Sequence, residues 1–363
     1  MGMTKRERVL TAFNRQKPDR IPWNLSFAPT VYEMARSKIT DLETFLSDSG
    51  GFAGIDLWGN IWNVSNPLPK NNDFYKNKFR RYFPEKLPDG TQYYEWGFAR
   101  VPGNSWHFSR IVSPLMFCQT PVEINNFPFP DVLNADRWSK IESKIKEFRK
   151  TDVAIGTDCI SLFEMPWMLR GFDNLLADFI VNPEIADALL DWFENLGREL
   201  AGRFAALNVD VITFGDDIGM QDRMLMSPDT WRCWIKPRMK RIIEAARKIK
   251  PDILIYYDSD GYIEPIIGDL IEIGINILAP LQPECMNIPV IKEKYGNKLA
   301  FKGSIGAQSV MPRGTPEDVR QAVIAMIKLF ENGGLFLCPS HCLEPDVPWK
   351  NIKAFVETVT EYG

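Results

Sequence analysis

The chain is poor in the residues that most often reveal a function from sequence. It has only two histidines among 363 residues, and its six cysteines include no Cys-x-x-Cys pair. Cysteines scattered through a chain of this length are not the disulfide framework of a small secreted domain, so we expect reduced thiols. Neither a GxGxxG nor a GxxxxGK[ST] phosphate loop is present. Disulfide scaffolds and nucleotide folds with a Gly-rich loop are therefore disfavoured.

The chain also lacks an excess of positive charge and a long apolar run. Its net charge is −4, and its pI is near 5.5, whereas proteins that bind nucleic acid usually carry a basic face. No apolar stretch is long enough to span a bilayer, and the first residues have no apolar signal core. We expect a cytoplasmic protein that binds neither nucleic acid nor a membrane.

What the chain does have is a repeated pattern of short apolar runs that end at polar or acidic residues. Most of these runs are followed by a helix-like stretch, which predicts βα units around a parallel sheet. The six runs are Val153–Asp158, Val209–Asp217, Ile253–Asp260, Ile275–Gln282, Leu299–Ser304 and Leu335–His341. In such sheets the active site lies at the carboxyl ends of the strands, where five aspartates and a histidine fall here.

Two earlier segments, Trp23–Phe27 and Gly54–Trp58, raise the number of candidate strands to eight. The sequence therefore predicts an α/β chain with a (β/α)8 TIM barrel, in a single domain over residues 1–363. A doubly wound open sheet is the alternative. It would usually show a Gly-rich loop after its first strand.

The pattern changes between about residues 66 and 121. Phe79–Phe83 and Gln92–Phe98 flank the turn sequence Leu87–Gly90, which predicts a β-hairpin insertion in the N-terminal part of the chain. His107 lies in this insertion, and we expect a structural role for it.

Helix starts are marked by capping residues. They are Thr4 with Glu7, Asn182 before Pro183, Ser227 before Pro228, and Thr315 before Pro316.

Asp258 and Asp260 are the first candidates for chemistry. Side chains alternate along a strand, so these two aspartates share a face and could bind a cation or share a proton. The alternative is that Asp260 opens a turn and caps the next helix.

Asp216 and Asp217 end another strand and point to opposite faces, so one is expected at the site and the other in a loop or cap. We expect Asp217 to be catalytic and Asp216 to contact substrate. Asp158 is more typical of a helix cap.

Glu164 and His341 complete the acidic set. Glu164 lies in an apolar segment that carries a tryptophan, which favours a raised pKa and a role as an acid or ligand; an ion pair with Arg170 is the alternative. His341 follows the last strand and is a candidate metal ligand. Cys342 could join it, whereas Cys338 is expected in the core.

Several tryptophans fall near presumed loops at the barrel mouth. Trp23, Trp58 and Trp167 are candidates for an aromatic substrate pocket, although core packing is the commoner role for a single tryptophan.

Several short motifs occur in the same order as in a known family. They are Thr4–Leu10 with Pro18–Pro22, Phe163-Glu164 with Leu169–Phe172, Gly215–Asp217 with Ser227-Pro228 and Lys236–Arg238, and Pro339–His341 with Pro345-Asp346. With these motifs the chain resembles the uroporphyrinogen decarboxylase superfamily, and more closely its corrinoid-linked methyltransferase branch. The resemblance implies a (β/α)8 barrel, whereas the reaction depends on the site.

The chain departs from the family at two places. True decarboxylases carry an arginine-rich segment after the first strand, but Trp23–Pro29 contains no arginine. The thiol-methylating branch holds zinc with a His-x-Cys pair, where this chain has Asp258 and Asp260. The resemblance then implies the first half-reaction of the branch, in which a small O-methyl substrate is demethylated and the methyl group passes to a partner corrinoid protein. An aromatic O-methyl compound is one option for this substrate. Zinc, held by some of Glu164, Asp258, Asp260 and His341, is the implied cofactor.

Two other functions stay open at this stage. One is a decarboxylase-type lyase on a small carboxylic acid, with Arg170, Arg223 and Lys302 as the loop candidates for a carboxylate clamp. The other is a catalytically silent barrel that binds a small ligand or a corrinoid protein. The oligomeric state is also open, a homodimer being one option.

Overall fold

In the part of the chain that the structure describes, a parallel sheet of seven strands is the central element. The computed structural model describes residues 2–38, 52–55, 72–83, 86–103 and 109–363. Trp58 and His107 lie outside these residues, and so do the last three positions of the predicted strand Gly54–Trp58. The strands are β1 (Phe52–Ile55), β2 (Gln92–Tyr93), β3 (Ala99–Val101), β4 (Arg110–Val112), β5 (Ala154–Asp158), β6 (Val211–Gly215), β7 (Leu254–Asp258), β8 (Ile277–Leu281), β9 (Ala300–Ile305) and β10 (Leu335–Pro339).

Helices connect these strands. They are α1 (Lys5–Phe13), α2 (Pro29–Lys38), α3 (Asn72–Phe79), α4 (Pro121–Asn125), α5 (Ala135–Phe148), α6 (Glu164–Arg170), α7 (Phe172–Asp178), α8 (Pro183–Ala206), α9 (Pro228–Trp234), α10 (Lys236–Ile249), α11 (Ile267–Ile273), α12 (Ile288–Tyr295), α13 (Val310–Arg313), α14 (Pro316–Leu329) and α15 (Trp349–Tyr362). None of the helices in the described ranges is both long and apolar enough to cross a membrane.

The large sheet has the strand order β1-β5-β6-β7-β8-β9-β10, and every pair of neighbours is parallel. All six apolar runs of the sequence form strands of this sheet, so the prediction of parallel βα units is confirmed. From β5 to β10 consecutive strands are adjacent, and because all the strands of this sheet are parallel, their carboxyl ends lie at one edge. The acidic residues that end the runs therefore lie at that edge.

The predicted first barrel strand is shorter than expected. Trp23 forms an isolated parallel bridge with Leu337, and Phe27 forms one with Leu343. The described residues between these two bridges do not form a continuous ladder. The backbone N–H of Leu337 donates to the carbonyl of Pro22 at 2.9 Å. The segment thus lies beside β10 at the edge opposite β1, which is the place of the eighth strand in a barrel.

Capping explains where several helices begin. Thr4 and Thr315 form capping boxes with Glu7 and Asp318, as the sequence predicts for the first of them. Asn182 precedes α8 as predicted, but its side chain does not cap the helix. Its amide instead donates to Oδ1 of Asp178 at 2.9 Å, because that carboxylate is buried and needs partners.

The insertion contains antiparallel strands, but not the predicted pair. Phe79–Phe83 is not a strand: it holds the end of α3 and a 3-10 turn over Arg80–Tyr82. Gln92–Tyr93 pairs with Ala99–Val101, and β4 adds a third strand. The hairpin turns at Gly97, whose φ of +96° suits glycine. A side chain there would also meet Phe127 at 2.5 Å.

Candidate functional site

Two adjoining hollows lie at the carboxyl ends of the strands. The inner cavity has a volume of about 270 Å³, and its lining includes Asp217, Asp258, Asp260 and His341. The outer hollow has a volume of about 550 Å³ and shares Asp260, His341 and Cys342 with the inner one. The structure thus brings four of the predicted site residues to one place, while their chemical roles stay predictions.

Asp216, expected from the sequence to contact substrate, is buried and hydrogen-bonded within the protein, and its role in substrate binding stays a prediction. Its side chain is 1% exposed. One carboxylate oxygen accepts from Ser161 Oγ at 2.6 Å and from the backbone N–H groups of Phe163 and Glu164 at 2.9 and 3.0 Å, and the other accepts from the N–H of Leu162 at 3.2 Å. With these partners the carboxylate fixes the loop between β5 and α6. Burial nevertheless raises its pKa to about 6, because the charged form loses water.

Glu164 begins helix α6 and belongs to the acidic cluster. Its pKa lies well above the ordinary value, first because the side chain is buried and then because Asp217, Asp216 and Asp258 are near. The alternative of an ion pair with Arg170 is wrong. Arg170 donates to Asp178 at 2.6 Å, and both side chains of that pair are buried.

Asp217 and Asp260 are joined through the backbone. The N–H of Asp260 donates to Oδ1 of Asp217 at 2.8 Å. Burial raises the pKa of Asp217, and the charge of Asp258 raises it further, whereas the N–H of Asp260 and the imidazole of His341 lower it. Burial, Asp217 and Asp258 together raise the pKa of Asp260 to about 8. The cluster can therefore hold a proton at neutral pH, as a general acid requires.

A chain of contacts that was not predicted from the sequence leads from Asp258 to two other residues. The hydroxyl of Tyr256 donates to Asp258 Oδ2 at 2.7 Å, and the ammonium of Lys302 donates to the same hydroxyl at 3.4 Å. Burial and Asp258 raise the pKa of Tyr256 well above its ordinary value, so the phenol keeps its proton. Tyr256 and Asp258 are two residues apart on β7 and share a face. That spacing was the signal that could have identified Tyr256.

Lys302 is a cavity residue rather than a loop residue. It lies on β9 and lines the inner cavity together with Asn24, Ser26 and Ser340. Of the three cations considered for a carboxylate clamp, Arg170 is buried against Asp178, and Arg223 is 72% exposed. Lys302 is therefore the one of the three that can meet a ligand in this cavity.

The ligand set predicted for a metal differs from the one that the structure assembles. Among the described residues, His341, Cys342 and Glu344 place one ligand atom each within 4.8 Å of one another. Within the described ranges, Asp258, Asp260 and Glu164 form no such group with His341. Nitrogen, sulfur and oxygen donors in one group suit a borderline cation such as zinc.

The contacts within this group fit a cation site. Cys342 Sγ lies 3.3 Å from His341 Nδ1 and 3.5 Å from Glu344 Oε1. Burial and then Glu344 raise the pKa of the Cys342 thiol to about 12, so the thiol keeps its proton until a cation displaces it. The sequence had suggested Cys342 as a ligand but had not included Glu344.

The two described tryptophans pack against aromatic side chains, and their expected part in a substrate pocket stays a prediction. Trp23 packs edge-on against Phe355 of α15, with ring centroids 5.9 Å apart, and Trp167 packs against Phe172 at 5.8 Å. Each is half-buried against a neighbouring helix, so hydrophobic packing explains its position. Cys338 is buried as predicted, and it also lines the inner cavity.

Comparisons with known proteins found a family model, a related sequence and a solved structure that match this chain. The family model described as Uroporphyrinogen decarboxylase (URO-D) matches residues 118–362. A uroporphyrinogen decarboxylase from Synechococcus sp. is 22% identical over 138 residues, a stretch that spans only 38% of this chain and 38% of that relative. The solved structure of a methyltransferase from Methanosarcina mazei has a similar fold, with a TM-score of 0.64, 18% identity, and 99% of both chains covered. At that identity the similarity establishes the fold.

Proposed function

Because the chain belongs to the uroporphyrinogen decarboxylase family, we propose that it is a corrinoid-dependent methyltransferase. In this proposal it removes a methyl group from the oxygen of a small substrate and transfers it to a partner corrinoid protein. The sheet would close into a (β/α)8 barrel, with Trp23–Phe27 as the eighth strand. The observation that carries the proposal is a group of proton-holding carboxylates beside one ammonium at the carboxyl ends of the strands.

The chemistry needs such a group because an alkoxide or phenoxide is a poor leaving group. When the C–O bond breaks, its electron pair stays on oxygen while the methyl group passes to the reduced cobalt of the acceptor. A proton donated to that oxygen lowers the barrier. Asp260 is the best placed donor, because it lines both hollows and its pKa lies above neutrality.

Lys302 supplies the positive charge for the same oxygen. Its ammonium lines the inner cavity and lies 3.4 Å from the hydroxyl of Tyr256, which is itself hydrogen-bonded to Asp258. A fixed cation stabilises negative charge that develops in the transition state. Asp258 and Tyr256 would hold the ammonium in position.

We also propose that zinc acts as a second acid, in addition to Asp260. Bound by His341, Cys342 and Glu344, it would supply a Lewis acid at the hollow that Asp260 also lines.

The cavity also suggests a class of substrate. Its described lining is mostly polar, with Asn24, Ser26 and Ser340 among the side chains, and its volume is only about 270 Å³. These features favour a small polar O-methyl compound over an aryl methyl ether, in contrast to the aromatic substrate that the tryptophans had suggested.

The test is methyl transfer to cob(I)alamin, followed by the absorbance change of the cobalt. Small polar and aromatic O-methyl compounds are compared as donors. Asp258→Asn and Lys302→Met should each lower the rate at least about 100-fold, as loss of a transition-state contact does. Lys298→Met, at an exposed position before β9, is the matched control and should leave the rate unchanged. Full activity in both cavity variants would refute this site.

One observation supports a second function, the decarboxylase-type lyase. The ammonium of Lys302 in a polar cavity could bind a carboxylate as well as a leaving oxygen. This alternative predicts release of carbon dioxide from a small carboxylic acid without any cobalt acceptor. Measuring carbon dioxide in the same reactions separates the two functions.

A further inference from the structure

A third cavity lies beside the candidate site but is distinct from it. Its volume is about 610 Å³, and it lies between the loop after β8 and the end of β9, with Ala322 and Met326 of α14 on one wall. We call it the lateral cavity. Cys285 is its single lining residue in common with the outer hollow, and it shares none with the inner cavity.

Ser304, which lines the lateral cavity, carries two unfavourable features at once. Its side chain is 3% exposed, and its hydroxyl makes no hydrogen bond. A buried polar group without a partner destabilises the fold. Its φ is +84°, a left-handed conformation that is unfavourable for a residue with a side chain. Features of this kind persist mainly where they serve a function.

Glu284 contributes a positioned carboxylate to the same cavity. Its Oε1 accepts from Ser309 Oγ at 2.6 Å and from the backbone N–H of Gln308 at 3.1 Å. Its Oε2 is buried and makes no hydrogen bond. One oxygen therefore holds the side chain in place, while the other can accept from a ligand.

The rest of the lining determines the type of ligand. Met286 and Ile288 are buried apolar side chains, and Val310 and Met326 add further apolar surface. No lysine, arginine or histidine is found among the residues described as lining this cavity. A ligand therefore meets one unbalanced negative charge, one hydroxyl and an apolar wall.

We propose that the lateral cavity binds a small organic ammonium ion. Its N–H groups donate to Glu284 Oε2 and Ser304 Oγ, and its apolar body packs against the methionines. The volume is within the range of small-molecule sites, and a charge-assisted hydrogen bond stabilises such a ligand more than a neutral one does. The site does not depend on the reaction proposed above.

The test is calorimetric titration of the full chain with benzylammonium and with benzyl alcohol, which has the same apolar body and no charge. Benzylammonium should bind at least about tenfold more tightly, given the strength of hydrogen bonds to charged groups. Equal affinity for the two compounds, or no binding of benzylammonium, would overturn the proposal.

Variants locate the binding to the lateral cavity. Glu284→Gln keeps an oxygen for Ser309 and removes the charge, so the preference for benzylammonium should disappear. Glu293→Gln changes an exposed glutamate on α12 and should leave the affinity as it is. Unchanged affinity in Glu284→Gln would refute the proposal.

A second variant remains decisive if Glu284→Gln does not fold. Ser304→Gly removes the hydroxyl and relieves the left-handed strain, because glycine adopts positive φ readily. Benzylammonium affinity should fall several-fold, while the thermal midpoint stays the same or rises. A stable Ser304→Gly variant with full affinity would count against the site.

Discussion

Replacing Asp216 by asparagine tests how the buried carboxylate behaves. The substitution keeps the size of the side chain and removes its charge. In the native chain four donors reach this carboxylate, three of them backbone N–H groups at the start of α6. Asparagine has one acceptor oxygen, so at least one of these buried donors loses its partner. That loss costs about 1–3 kcal/mol at any pH.

The size of the pH-dependent part follows from the pKa. Burial raises the pKa of Asp216 from 3.8 to about 6 in the folded chain. The folded state therefore binds the proton more tightly than the unfolded state does. The stability that this provides is complete below pH 3.8 and is lost as the pH rises to about 6. Between about pH 4.5 and about pH 7.5 the native chain should lose about 2 kcal/mol of unfolding free energy through this group.

Urea denaturation followed by tryptophan fluorescence measures this difference. Asp216→Asn lacks the titrating group, so the variant should be more destabilised relative to the native chain at about pH 4.5 than at about pH 7.5. The difference between the two conditions should be about 2 kcal/mol. A destabilisation that is the same at both pH values would show that the four donors keep the pKa of Asp216 near its ordinary value. The burial argument would then be wrong.

Two further predictions concern the cavity and the cation site. Tyr256→Phe removes the hydroxyl that donates to Asp258 at 2.7 Å. The rate of methyl transfer should fall about tenfold or more, because the hydroxyl that connects Asp258 to the ammonium of Lys302 is lost. An unchanged rate would show that the hydroxyl only fills space. Cys342→Ser should weaken zinc binding at least about tenfold and abolish the thiol proton that is released when zinc binds, since the native thiol has a pKa of about 12. Cys233→Ser, at an exposed cysteine, is the control, and equal zinc affinity in both variants would exclude Cys342 as a ligand.

The parallel strands could be read from the sequence because their signal is local. Each buried strand is a short run of β-branched and aromatic residues, as in Ile253–Asp260, and it ends where an acidic side chain meets the edge of the sheet. Parallel strands with helical connections also have few possible topologies. The order of the strands therefore followed from their order in the chain.

The insertion could not be read in the same way. Phe79–Phe83 has aromatic residues at both ends and two arginines between them, a pattern that fits a short strand and a helix end equally well. In the structure Phe79 is fully buried and packs against Phe127, with ring centroids 5.6 Å apart. That contact comes from a part of the chain about fifty residues away, and no local pattern indicates it.

The site was predictable in its location but not in its contacts. Alternation along β6 indicated that Asp216 and Asp217 have different environments, which the structure confirms, but the sequence assigned substrate binding to the buried one. The partners of Asp216 lie more than fifty positions earlier in the chain. Tyr256 lies on β7 and Lys302 lies on β9, with β8 between them. The contact between their side chains therefore depends on the register of the sheet.

The acidic cluster itself limits which functions are chemically reasonable. The charges of Glu164, Asp217, Asp258 and Asp260 act on one another, and Lys302 and His341 are the basic side chains in the described lining of the inner cavity. If all four carboxylates were ionised, they would outnumber the two basic side chains beside them in a partly buried space, which is strongly unfavourable. Protons or a bound cation must therefore offset them, and either one is an acid that can assist a leaving oxygen. The number of protons released when zinc binds distinguishes the two cases. If zinc displaces protons from the acidic cluster, more protons are released than the single one from the Cys342 thiol. Release of one proton per zinc would leave the cluster protonated and favour Asp260 as the acid that acts on the substrate.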